Sequence, residues 1–203
     1  MPKRFIIEGG VPLRGRVRIS GSKNAAIKEI AASLLTNETV TLENIPKISD
    51  IEVDLEIVKS LGVELKAAWD TGTISLRSRP QLKTEILPIL SAKTRSAIMM
   101  LGPLLAREGR VVLPTPGGCP IGERPLDRHL VALESLGAKF EVKGEKIIGR
   151  AKGLRGGKII FKKNTVMGTE NALLAATLAE GETEVRGAAE EPEVDDLITL
   201  LVA

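Results

Sequence analysis

The chain has no tyrosine, one tryptophan and three phenylalanines, so aromatics make up 2% of its 203 residues. Nucleic acid is usually held on stacked aromatic rings and on continuous basic surfaces. Neither is present: 29 basic and 26 acidic residues are interspersed and leave a net charge of +3. A small anionic ligand fits a pI near 9.0 better than nucleic acid does. With one cysteine no internal disulfide can form, which fits a reducing cytoplasm. The only histidine, His129, has no second histidine or cysteine near it, so it reads as a structural or orienting residue, and neither a metal nor a cofactor is expected. No apolar run approaches the roughly 18 residues of a membrane span, and Met1-Pro2-Lys3-Arg4 is not followed by a signal-peptide core. No membrane partner is expected.

What is there is an ordinary globular composition, 43% hydrophobic and 27% charged, in a chain long enough for one large domain or two small ones. Phe5-Ile6-Ile7 and the alternating stretch from Leu13 to Ile19 read as strands closed by glycines. Ser22 then caps a helix whose apolar face is Ile27, Ile30, Ala31, Leu34 and Leu35. Lys23 and Asn24 fall in its first turn, where free N–H groups, the helix dipole and the lysine charge all favour an anion. Most first-turn lysines merely point into water, so this feature alone is weakly specific. Thr39-Val40-Thr41-Leu42 reads as a strand, Ile51 to Leu61 as a helix ended by Gly62, and Val63 to Lys66 and Thr73 to Leu76 as short strands.

The same order recurs. Thr94-Arg95-Ser96-Ala97 opens a helix through Leu104-Leu105, Val111 to Leu113 is a strand, and Leu126 to Leu136 is a helix ended by Gly137 and followed by two strands. A third copy starts at Thr169-Glu170-Asn171-Ala172, passes through Glu184-Val185-Arg186 and enters its second helix near Pro192. Lys23, Arg95 and Glu170 mark equivalent points about 72 and 75 residues apart, a longer period than common solenoid repeats. By that equivalence all three belong to one face. The expected fold is α/β, with three pseudo-threefold units whose helices meet inside and whose sheets face solvent. The units span 21–90, 91–163 and 164–203 after an N-terminal stretch, 1–20. The third unit stops short of its last strands, as a piece of a longer protein would.

Between the strand and the second helix of the middle unit lies Pro116-Gly117-Gly118-Cys119-Pro120-Ile121-Gly122-Glu123-Arg124-Pro125. Its glycines and prolines forbid helix and strand, which makes it a lid-like loop. A lone cysteine is commonly a small buried hydrophobe. Cys119 has no apolar periodicity around it, however, and a nearby cation such as Arg124 favours the reactive thiolate.

Together, Ser20-Gly21-Ser22-Lys23-Asn24-Ala25-Ala26, Thr94-Arg95-Ser96, Gly117 to Asp127, Thr169-Glu170-Asn171 and Glu191-Pro192-Glu193 resemble the UDP-N-acetylglucosamine 1-carboxyvinyltransferases, the MurA family of enolpyruvyl transferases. The resemblance covers nearly the whole chain but only the N-terminal half of a family member. It implies an inside-out α/β barrel domain of three repeats, the third truncated. It also implies transfer of enolpyruvyl from phosphoenolpyruvate to the 3-hydroxyl of UDP-N-acetylglucosamine, the first committed step of peptidoglycan synthesis and the target of fosfomycin. On the matching positions, Cys119 would be the general acid toward the phosphoenolpyruvate methylene, and Lys23 and Arg124 would hold its anion. Asn24, Arg95, Arg124, Pro125, Leu126, Asp127, Arg128, Lys163, Thr165 and Val166 would contact substrates. The resemblance makes the missing C-terminal half a partner in cis or in trans, because the aspartate base and further arginines come from it, and residues 1–20 would pack there. Met99, where the family often has an aromatic residue, and Met167 depart from its pattern. Two other readings are a shikimate-pathway enolpyruvyl transferase, whose loop lacks the Gly-Gly-Cys context, and a noncatalytic nucleotide-sugar-binding module.

Overall fold

A computed structural model describes residues 4–117 and 126–203. From Gly21 onward the chain folds as α1 (Lys23–Ala32), a 3-10 turn (Ser33–Leu35), β1 (Thr39–Leu42), α2 (Ser49–Leu61), β2 (Val63–Ala68) and β3 (Thr73–Ser78). Next come α3 (Pro88–Ser91), a second 3-10 turn (Ser96–Met100), α4 (Leu101–Glu108), β4 (Arg110–Pro114), α5 (Asp127–Ser135), β5 (Lys139–Lys143) and β6 (Lys146–Arg150). The chain closes with β7 (Lys158–Ile160), α6 (Val166–Ala176), β8 (Glu184–Arg186) and α7 (Pro192–Val202).

The first sheet has the order β1-β3-β2 and the second β4-β6-β5, both antiparallel, so in each the third strand lies between the other two. β7 and β8 pair in parallel. A short parallel contact of the same kind lies beside β4, where Ile86 donates to the Val112 carbonyl at 3.0 Å and Val112 to that of Thr84 at 2.7 Å. Neither parallel pairing is visible in the sequence pattern. The core is continuous across the helices and the inner faces of the sheets, with Ile30, Leu34, Ile57, Leu61, Ile98, Leu101, Leu104, Leu133, Leu174 and Leu197 all buried. α6 sits centrally, packed on α4, α5 and α7, and α1 packs on α2 and α7.

Two expectations are corrected here. The stretches Phe5 to Ile7 and Leu13 to Ile19 form no strand, and residues 4–20 are exposed throughout. A strand needs a neighbour for its backbone hydrogen bonds, and no described residue supplies one. The helix expected from Arg95 through Leu105 is split, with a 3-10 turn over Ser96–Met100 leading into α4. Pro103 has no N–H and its ring crowds the carbonyl four residues back, so α4 begins at Leu101 and leaves the proline in a first turn. Gly62 (φ +118°) and Gly137 (φ +96°) end α2 and α5 in the left-handed region, where glycine is least strained.

Candidate active site

Gly21 fixes where α1 begins. A Cβ there would meet the Asn44 carbonyl oxygen at 1.7 Å, so only glycine lets the two loops touch. Ser22 then caps the helix, its side chain accepting from the Ala25 N–H at 3.3 Å, and Lys23 becomes the first helical residue. Its ammonium lies 2.7 Å from Asp50 Oδ2, in the first turn of α2. Asn24 Nδ2 donates to Glu193 Oε1 at 3.1 Å, in the first turn of α7. Arg128, in the first turn of α5, donates to the Asn164 carbonyl at 3.0 Å, beside Thr165, which caps α6 and accepts from the Gly168 N–H at 3.3 Å. These contacts bring together the N-termini of α1, α2 and α7 and those of α5 and α6, and the Ala189 N–H, just before α7, donates to Thr169 Oγ1 in the first turn of α6 at 3.0 Å and so joins the two sets at one end of the body. Their dipoles favour negative charge there.

Arg95 is half-buried at the entrance to the second 3-10 turn. Beneath it runs a chain of buried polar groups. Thr94 Oγ1 and Ser96 Oγ lie 2.6 Å apart, and Ser96 donates to Asp54 Oδ1 at 2.5 Å. Asp54 stands one helical turn after Asp50, is fully buried, and its Oδ2 finds no hydrogen-bond partner among the described residues. Burial pushes its carboxyl up to about 7; the Ser96 hydrogen bond opposes the shift and Asp50 adds to it. A similar situation holds one layer across. Glu170 is fully buried with Lys28 Nζ 3.1 Å from Oε1, Oε2 has no hydrogen bond, and burial raises its pKa to about 7 against the pull of Lys28. The sequence placed Glu170 on the open face with Lys23 and Arg95. As the fifth residue of α6 it lies a turn deeper than Lys23, the first residue of α1, and points into the core.

His129, which the sequence marks as structural or orienting, is buried near the start of α5. Asn171 Nδ2 donates to its Nδ1 at 3.2 Å and to the Ile98 carbonyl at 2.9 Å, while Asn171 Oδ1 accepts from the Gly102 N–H at 2.7 Å. An amide N–H₂ can only donate, so His129 Nδ1 accepts and the ring is neutral. Burial, helped by Arg95, lowers the imidazole pKa to about 4. Gly102 is required, since a Cβ there would lie 2.5 Å from Asn171 Oδ1. Among the described residues no cluster of three metal-ligating side chains occurs.

Cys119, Arg124 and Pro125 lie outside the described residues. On one flank of that segment, Gly117 donates to the Ser91 carbonyl at 2.9 Å and approaches Ala92 so closely that a Cβ would sit 1.8 Å from its oxygen. On the other flank, Leu126 is half-buried and Asp127 is exposed at the start of α5. The segment therefore begins four residues after the end of β4, whose Pro114 carbonyl accepts from Ser91 Oγ at 2.8 Å, and ends three residues before Arg128. Lys163 is exposed next to Asn164, and Val166 opens α6. The contacts thus join Lys23, Asn24, Arg128 and Thr165 to one end of the helices. Asp50, Asp54, Lys28 and Glu193 went without a role in the sequence reading. Asp50 and Asp54 at i and i+4 on α2, and a lysine between Ile27 and Ile30, were the available signals.

The fold is that of an enolpyruvyl transferase. The family described as EPSP synthase (3-phosphoshikimate 1-carboxyvinyltransferase) matches residues 7–203, and the chain belongs to it. Within it, a relative from Nitratidesulfovibrio vulgaris named UDP-N-acetylglucosamine 1-carboxyvinyltransferase is 48% identical over 98% of this chain and 47% of its own length. One of the same name from Acinetobacter guillouiae is 44% identical over 98% and 47%. The chain spans about half the length of these curated relatives. Among solved structures, the enolpyruvyl transferase NikO from Streptomyces tendae superposes with a TM-score of 0.82 at 22% identity, over 96% of this chain and 45% of that one. EPSP synthase from Acinetobacter baumannii gives 0.71 at 19% identity, over 89% and 42%. These two likenesses establish the fold. Among the described residues no helix is long and apolar enough to cross a membrane.

Proposed function

We propose that this chain supplies the nucleotide-sugar face and the cysteine loop of a UDP-N-acetylglucosamine 1-carboxyvinyltransferase acting in peptidoglycan synthesis. The observation that carries this reading is the convergence of Lys23, Asn24, Arg128 and Thr165 on one set of helix N-termini, in a chain whose 44% and 48% identical relatives bear that name. The division into 1–20 and 21–203, with units 21–90, 91–163 and 164–203, belongs to the same proposal. The matching strand order of the first two sheets supports it.

In the reaction, phosphoenolpyruvate brings a phosphate and a carboxylate, and Lys23 and Arg124 neutralise them. Cys119 gives a proton to the methylene carbon, which makes the neighbouring carbon electrophilic. The sugar 3-hydroxyl adds there, losing its proton to a base from the other half. A proton then leaves the new methyl group as the C–O bond to phosphate breaks, which restores the double bond and releases phosphate. Arg95, Pro125, Leu126, Asp127, Arg128, Lys163, Thr165 and Val166 hold the nucleotide sugar, and Asn24 lies between the two substrates. Asp50 occupies Lys23 until an anion competes with it.

Half of such a clamp cannot exclude water, so the chain alone should bind weakly and not turn over. The test titrates the chain with UDP-N-acetylglucosamine and with shikimate 3-phosphate, and assays phosphate release with and without the C-terminal half as a separate polypeptide. The proposal expects preference for the nucleotide sugar, binding weakened by Arg95→Ala, and release only when both halves are present. It also expects that Lys23→Ala abolishes that release without unfolding the chain and that Cys119→Asp removes fosfomycin sensitivity. Preference for shikimate 3-phosphate would assign the chain to the other branch of the family. Binding without release after complementation would leave a binding module, and appreciable turnover by the chain alone would refute the half-site argument.

A further inference from the structure

The end of the body opposite the candidate site holds a cavity of about 730 Å³. It lies where α4 and α5 finish, at Gly109 and at Leu136-Gly137. Arg95 and Gly109 are separated by the 3-10 turn and α4, a helical path of roughly 20 Å. The cavity is therefore distinct from the site at the helix N-termini. Leu136, Phe140 and Ile148 give it an apolar lining.

Around that lining stand Arg110, Lys139, Arg150, Lys152 and Arg155, against the single carboxylate of Glu141. The chain as a whole is nearly balanced, 29 basic to 26 acidic residues, so five to one is a local concentration. Glu141 is already shared, 3.1 Å from Lys143 and 3.8 Å from Arg150. Arg110 is held by Thr84 Oγ1 at 2.9 Å. Among the described residues, Lys139, Lys152 and Arg155 have no carboxylate within ion-pair distance.

Basic residues commonly gather at helix C-termini to serve the last carbonyls. Here backbone donors already serve several of them. The Gly109 N–H bonds the Leu105 carbonyl at 3.1 Å, that of Ala138 bonds Leu133 at 3.1 Å, and that of Gly137 bonds Glu134 at 2.9 Å. The Arg155 N–H bonds the Leu136 carbonyl at 3.0 Å, and the Ala151 N–H bonds that of Gly109 at 2.8 Å. Lys139, Lys152 and Arg155 are thus left to face a ligand, and the volume falls within the range of small-molecule sites.

We propose that this cavity binds a small organic polyanion with an apolar body, of the chemical class represented by nucleoside triphosphates. Its anionic groups meet Lys139, Lys152 and Arg155, and its apolar part lies against Leu136, Phe140 and Ile148. Free inorganic polyphosphate would satisfy only the charges. The inference does not depend on the reaction proposed above.

The experiment is calorimetric titration of the 203-residue chain with adenosine triphosphate, and separately with inorganic triphosphate, at low salt without metal. Three variants accompany it. Lys139→Glu/Lys152→Glu alters the cavity, Lys59→Glu/Lys66→Glu makes the same charge change on an exposed surface of the first sheet and α2, and Arg128→Ala alters the candidate site. Saturable binding of the nucleotide should weaken at least roughly tenfold in the cavity variant. It should change less than about threefold in the other two, and inorganic triphosphate should bind at least roughly fivefold more weakly than the nucleotide. The proposal is overturned by absence of saturable binding, by equal losses in the cavity and surface variants, by loss in Arg128→Ala, or by inorganic triphosphate binding as tightly as the nucleotide.

Discussion

Between Phe5 and Ile19, seven large apolar residues are each at least 79% exposed, whereas a few residues further on Ile27, Ile30, Ala31 and Leu34 of the first helix and its 3-10 extension are buried. Both stretches carry clean hydrophobic periodicity. The helix satisfies its own backbone and needs a neighbour only for its apolar face, which α2 and α7 provide. An extended segment needs partners for both its backbone and its side chains. The difference teaches that period-2 alternation states a requirement for a partner and does not supply one.

Variants can break or sharpen that contrast, beginning with the largest effect. Leu104→Ala, in the fully buried core, should cost about 4 kcal/mol in urea unfolding, by lost transfer energy and the cavity left behind. A cost under about 1 kcal/mol would mean that the body is packed no better than the strip.

The buried carboxylates come next. Asp54 has a folded pKa of about 7, raised by burial above its ordinary 3.8. The folded state therefore holds the proton more tightly, and stability falls as pH rises from about 4 through 7. Asp54→Asn should stabilise the body by roughly 3 kcal/mol at pH 8 and change little at pH 4. A pH-independent effect would show that the carboxyl is not buried as described. Removing Lys28 sharpens the same point. Lys28→Ala should cost about 2 kcal/mol at pH 8, where Glu170 loses the cation that favours its ionised form, and less at pH 5, where it is protonated with or without Lys28. That figure lies below the usual cost of breaking a buried pair because Glu170 already titrates near 7.

The smallest effect belongs to the strip. Phe5→Ser with Ile7→Ser should shift stability by no more than about 0.5 kcal/mol, as exposed positions do. A loss of 2 kcal/mol or more would show that those side chains are buried in solution, and the contrast would fail.

Much of the body was legible in the sequence because its signals are local. Ser22 as a cap, the apolar face of α1, and the glycines at 62 and 137 act through their own turns, and all stand where the periodicity put them. The split at Pro103 was also local, although reading through it requires counting back four residues to Met99. For the site, Lys23 and Asn24 could be placed in a first helical turn from Ser22 alone. Their partners could not be named, because Asp50 and Glu193 are 27 and 169 residues away along the chain.

By itself, the sequence determined most of the helices, most of the short strands and the spacing of Lys23, Arg95 and Arg128, because helix caps, period-3.6 faces and left-handed glycines depend on neighbours within a turn or two. Only the tertiary structure decided that Glu170 is buried against Lys28, that Asp54 lies against Ser96 with one oxygen satisfied by no described residue, and that residues 4–20 pair with no described residue. Burial, desolvation and strand pairing are properties of what surrounds a residue, and those surroundings are assembled from parts of the chain far apart in sequence.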